Sequence, residues 1–155
     1  MEKSTLFPII LLAIIIALFA NMALGLISQD SIKAAEKLSP SDTIKEDQIK
    51  VYSDEVVINV SGAEWSEYTD TNSMDPVIDS GANGIVIKPK SESDLKIGDI
   101  VSYQQGIDLV VHRIVGIGSD ELGTFYTMKG DNNSSSDPEK VRFNQVRYKT
   151  IAIIY

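Results

Sequence analysis

The 155-residue chain holds one histidine and no cysteine. Thiol nucleophiles, disulfides, thiolate zinc sites and iron–sulfur clusters are therefore excluded together. A metal site built on two histidines is excluded as well, and no cofactor or metal is expected. Any imidazole chemistry falls to His112, in the run IDLVVHRIVGI. Strand alternation puts Val110, His112 and Ile114 on one face and Val111 and Arg113 on the other. A half-buried histidine bonded to a backbone carbonyl is the plainer reading of such a residue. However, an imidazole and a guanidinium side by side in an apolar strand both need partners, so polar groups must meet each face. Ser73, in TDTNSMDPVIDSG, is the candidate nucleophile. Serine among Asp, Asn, Thr and Pro also reads as a simple turn former. Pro76 biases Asp75 away from helix, which gives a stiff step suited to an exposed hydroxyl. The third element is Lys129-Gly130-Asp131-Asn132-Asn133, followed by Asp137. It is not an EF-hand loop, because the sixth and twelfth positions are Ser136 and Arg142 rather than Gly and Glu. A carboxylate from this loop could instead orient an imidazole, completing a nucleophile–base–orienter set.

Something must carry these residues, and the apolar residues are unevenly placed. After a short tip, residues 1–4, the segment 5–27 reads TLFPIILLAIIIALFANMALGLI without a charge. A hydrocarbon core ~30 Å thick needs about 20 such residues at 1.5 Å rise, so this run predicts a membrane anchor. A cleaved signal peptide is the alternative, but its apolar core is typically only about 7–15 residues long. Lys3 before the segment and Asp30 after it favour an N-terminus inside, with the remainder on the extracytoplasmic face. Residues 28–48 are polar and read as a juxtamembrane helix to about Leu38 and a linker through SPSD.

From residue 49 to 155 the signals are those of strands. VVINV (56–60), GIVIKP (84–89), DIVSY (99–103), Leu109–Ile117, FYTMK (125–129) and YKTIAIIY (148–155) are rich in β-branched and aromatic residues. Gln105-Gly106 predicts a hairpin between the third and fourth of these. Short strands at such spacing, parted by Gly, Asp and Asn, predict a mainly β domain rather than βαβ units. The 22 acidic against 14 basic side chains argue against a nucleic-acid partner, because phosphate binding needs clustered cations.

Taken together and in order, N-S-M-D-P, V-H-R-I-V and K-G-D-N-N with a second Asp resemble the type I signal peptidase family. The likeness is to its archaeal and endoplasmic-reticulum branch, in which histidine replaces the bacterial lysine base. It covers about Thr71 to Asp137. After Pro76 the chain departs from the family pattern, with Val77 and Gly81-Ala82-Asn83-Gly84 in place of Thr and Gly-Asp.

The resemblance implies an antiparallel β domain of signal-peptidase type on a single N-terminal transmembrane helix. It implies Ser73 as nucleophile and His112 as general base. Asp137 and Asp131 are both candidates for the orienting carboxylate, Asp137 being preferred. Met74 and Pro76 would position the serine, and the Ser73 N–H would serve as an oxyanion donor. The implied activity is a membrane-anchored serine endopeptidase that removes signal peptides from exported precursor proteins. Its partners would be those precursors, membrane lipid and, where a complex exists, other membrane subunits. Two alternatives are an inactive or regulatory relative that binds signal-like peptides and a pilin-like structural subunit. The N-terminus lacks the Gly and the following Glu that pilin processing uses.

Overall fold

The computed structural model describes residues 10–22 and 36–155, which fall into two units, Met1–Lys37 and Leu38–Tyr155. In the first unit residues 10–22 are helical, as expected of so long an uncharged apolar run. The ends of the expected anchor, 5–9 and 23–27, lie outside the described residues. Among the described residues no helix is long and apolar enough to cross a membrane. The expected juxtamembrane helix also falls mainly outside, at 29–35. Where it is described, at residues 36–38, the chain is not helical, so a helix does not extend to Leu38.

The second unit is mainly antiparallel β. Strands β1 (Ile49–Val51) and β2 (Val56–Ile58) form a small two-stranded sheet. A six-stranded sheet has the order β3-β4-β8-β5-β6-β7. Its strands are β3 (Ala63–Glu67), β4 (Asn83–Ile87), β5 (Ile100–Gln105), β6 (Asp108–Asp120), β7 (Gly123–Lys129) and β8 (Val146–Ile154). Every pairing in both sheets is antiparallel. The expected hairpin is present: β5 and β6 pair from Ile100↔Arg113 to Gln105↔Asp108, around Gly106 at φ +60°. A left-handed turn residue is what a tight hairpin demands, and glycine meets it without strain.

Residues of opposite parity along the central strands feed two apolar clusters. Val101, Tyr103, Ile114, Tyr126 and Met128 pack with Leu95, Val141 and Val146. Ile100, with Val111 against it, packs with Tyr68, Met74, Ile78 and Ala82 from the β3–β4 connection. That connection is therefore held by its apolar side chains rather than left as a free loop.

At 13 residues β6 is the longest strand, and it changes partner along its length. Residues 108–113 pair with β5, whereas 113–120 pair with β7, with a register shift between Ile114 and Gly116. A bulge of this kind bends a strand and re-aims its side chains. His112 and Arg113 sit just before it.

The segment after residue 38 is fastened to the sheet by a buried polar cluster. Asp99, fully buried, accepts from Ser41 N and Ser41 Oγ at 2.8 Å each and from Lys96 N at 2.8 Å. Lys149 Nζ lies 2.9 Å from the same carboxylate and 2.8 Å from Ser41 Oγ.

Candidate active site

Ser73 lies on the β3–β4 connection, in a run of turns over residues 73–77. Asn72 precedes it with φ +55°, a left-handed conformation that asparagine tolerates better than most residues. Turn bonds from Val77 N and Ile78 N to the Met74 carbonyl, at 2.9 and 3.0 Å, stiffen the following step. Met74 is buried against Ile78 and Ile100, so it anchors the serine through packing. The peptide before Pro76 is cis.

His112 is 7% exposed, in the middle of β6. Its Nδ1 lies 2.7 Å from Asp137 Oδ2. The same oxygen accepts the Tyr103 hydroxyl at 2.6 Å. Burial, and then the bond to Asp137, push the Tyr103 phenol far above its ordinary range, so it is the donor in that contact. A carboxylate oxygen that accepts from one side is an acceptor for the other as well. In the neutral imidazole Nδ1 therefore carries the proton, which leaves the lone pair on Nε2.

Arg113, on the opposite face of β6, donates to Asp131 through Nε at 2.7 Å and Nη2 at 2.6 Å, and through Nη1 to the Gly98 carbonyl at 2.7 Å. His112 and Arg113 thus each find a carboxylate, and both carboxylates come from the segment after β7. Asp131 is engaged by Arg113 and not by the imidazole. Of the two candidate orienters, only Asp137 reaches His112.

The segment after β7 also touches the serine. Asn132 N donates to the Ser73 carbonyl at 3.0 Å, and Asn132 Nδ2 to the Asn72 carbonyl at 2.9 Å. A Cβ at Gly130 would lie 2.6 Å from the Ser73 carbonyl oxygen, which explains glycine there. Beyond this contact the chain turns back along β7, with Asp137 N bonded to the Met128 carbonyl at 2.8 Å and Val141 bridging to Tyr126. The three motifs therefore converge.

Ser73 and His112 line one cleft of about 510 Å³, together with Tyr68, Ile78, Leu109 and Val111. They are not hydrogen-bonded to each other. Ser73 Oγ is instead 3.2 Å from Thr71 Oγ1. No family model, curated protein or solved structure matches the chain.

A larger cavity, of about 1150 Å³, is lined in part by Ser41 and Lys149. That pair could be mistaken for a serine–lysine nucleophile. Lys149, however, supplies the counter-charge that the fully buried Asp99 requires, so its ammonium is committed to the fold. Among the described residues no group of His, Asp and Glu is arranged to hold a metal ion.

Sequence reasoning missed two members of the site. Tyr103 sat in an apolar strand as one more core aromatic, and only the β5–β6 register brings it near His112. Thr71 was one polar residue among many, yet it is the hydroxyl that touches Ser73.

Proposed function

We propose that the protein is a membrane-anchored serine endopeptidase that removes signal peptides from exported precursor proteins, acting on the extracytoplasmic face. The observation that carries this reading is the 2.7 Å contact between His112 Nδ1 and Asp137, on an imidazole that shares its cleft with Ser73. His112 Nε2 would take the Ser73 proton as Oγ attacks the scissile carbonyl, and return it to the leaving amine. Asp137 would hold the ring in the reactive tautomer and stabilise the imidazolium. For Ser73 to give its hydrogen to His112, Thr71 must be the donor in the Thr71–Ser73 contact. Among the described residues the Ser73 N–H has no protein acceptor, so it is free to bind an oxyanion, a contact typically worth about 3 kcal/mol. Substrate would lie extended along the cleft.

One observation favours a second reading, a relative that binds signal-like peptides without cutting them: the Ser73–His112 hydrogen bond is not made. Apo enzymes often close this bond only with substrate, which keeps hydrolysis the better reading. The test is cleavage of a signal-peptide-bearing precursor by the full chain in detergent, with the product N-terminus sequenced. Ser73→Ala and His112→Ala should each abolish cleavage to a similar extent, because members of such a set act as a unit. Cleavage surviving His112→Ala would overturn the mechanism. Binding without cleavage by the wild type would favour the second reading.

A further inference from the structure

Tyr103 is 1% exposed and packs among Val101, Ile114 and Tyr126. The plain view of such a residue is a core aromatic whose hydroxyl takes the nearest acceptor. Tyr126 tests that view within the same cluster. It is equally buried, and among the described residues its hydroxyl has no protein hydrogen-bond partner. An equally buried tyrosine of the same cluster thus lacks the protein acceptor that Tyr103 has.

What singles out Tyr103 is the atom it bonds. Its hydroxyl and His112 Nδ1 converge on one oxygen, Asp137 Oδ2, at 2.6 and 2.7 Å. Its ring lies 6.4 Å from the imidazole, centroid to centroid, at 53°. We infer that Tyr103 is a positioning residue for the base, fixing the Asp137 carboxylate against His112 and moderating the negative charge the imidazole feels. This deepens the peptidase reading and rests on it for the catalytic consequence.

A phenol that donates to a carboxylate draws charge toward itself, and hydrogen bonds to ionised groups are about twice as strong as neutral ones. With Tyr103 present, Oδ2 divides its charge between two donors. Without it, the full charge faces Nδ1–H and stabilises the imidazolium more. The base then protonates at higher pH, and the carboxylate gains freedom to turn away. Other charges around the pair stay fixed in this comparison. They are Glu139 near Tyr103, Asp108 along the cleft, Arg113 with Asp131 and Lys129 on the other face of β6, and Lys149 with Asp99 two strands away.

The experiment compares Tyr103→Phe with Tyr126→Phe in the full chain. Tyr103→Phe should lower kcat about tenfold with KM nearly unchanged, and move the acid limb of the rate profile to higher pH. Tyr126→Phe should change neither. Because His112 is the sole histidine, its ring signals in an NMR titration are unambiguous and need no substrate. Tyr103→Phe should move that titration to higher pH. If the ring titration moves while no precursor is cleaved by the wild type, the tuning role stands and the peptidase reading fails. If Tyr103→Phe leaves the ring titration where Tyr126→Phe leaves it, the tuning role is overturned, whatever the activity.

Discussion

At the scale of single residues, the two aspartates after β7 have the same chemistry and different partners. Asp137 meets the imidazole, and Asp131 meets a guanidinium on the other face of the strand. Asp137→Asn keeps the shape but presents Nδ1–H with a neutral acceptor, or with an amide turned the wrong way round. Under the peptidase reading its turnover should fall by about 10²–10⁴-fold, with the thermal midpoint little changed. Asp131→Asn should do the reverse, leaving turnover within about tenfold but weakening the loop that touches Ser73. Measured turnover and melting of the two variants decide the matter; an Asp131→Asn variant as inactive as Asp137→Asn would refute the division. Much of this was legible in the residue types. An imidazole and a guanidinium adjacent in an apolar strand had to find polar partners on opposite faces, and they do. Which aspartate served which was not legible in the residues themselves, because both lie in one loop and sequence distance does not order them in space; the preference for Asp137 came from the resemblance alone. Tyr103 was hidden for a similar reason: a tyrosine among valines carries no signal until strand register brings it beside His112.

Among elements, the six-stranded-sheet strands that apolar patterning disclosed are those with side chains committed to the core, edge strand β7 included. β4, β5, β6, β7 and β8 each match an expected run to within a few residues. β3 escaped because AEWSE lies at the sheet edge with most of its side chains in solvent, so no period-2 pattern forms. The far end of β6 was also underestimated. It runs past the core to Asp120, where charges rather than apolar contacts hold it. Asp120 accepts from Lys140 Nζ at 2.8 Å and from Arg142 Nη1's neighbour Nη2 at 2.8 and 2.9 Å. These partners hold its carboxyl down at about 2, from an ordinary value near 3.8. A depressed carboxyl stabilises the fold above its unfolded pKa and loses that contribution as pH falls through the folded value. The contribution should therefore be complete at neutral pH and disappear between about pH 4 and pH 2. Denaturant unfolding across this window should show Asp120→Asn less stable than the wild type at pH 6 and equal to it near pH 2. A constant difference over the whole range would sink the assignment.

For the molecule as a whole, the issue is how a β domain is joined to the segment leading from the apolar N-terminus. Composition marks residues 39–42, Ser-Pro-Ser-Asp, as a linker, and nothing in their types announces a fixed position. Their place is set by a residue far away in the chain, Asp99, whose carboxylate accepts both the amide and the hydroxyl of Ser41. Gly98 helps, since at φ +101° it turns the chain where a side chain would collide with the Ser39 backbone. The cluster is closed by Lys149, which neutralises Asp99 and also donates to Ser41 and to the Asp94 carbonyl. Such a cluster is an all-or-none fastening, because removing one charge strands the other where water does not reach. Lys149→Met should therefore cost about 3–5 kcal/mol in urea unfolding, well beyond the ~1 kcal/mol expected for Ser41→Ala. Combining Lys149→Met with Asp99→Asn should recover a substantial part of that loss, since neither charge then remains unpaired. Amide exchange gives the local counterpart: the Ser41 N–H should exchange slowly in the wild type and much faster in Lys149→Met, while the amides of β5 stay protected. A double variant no more stable than Lys149→Met alone, with Ser41 exchange unaltered in both, would show that packing and not the buried pair holds the linker in place.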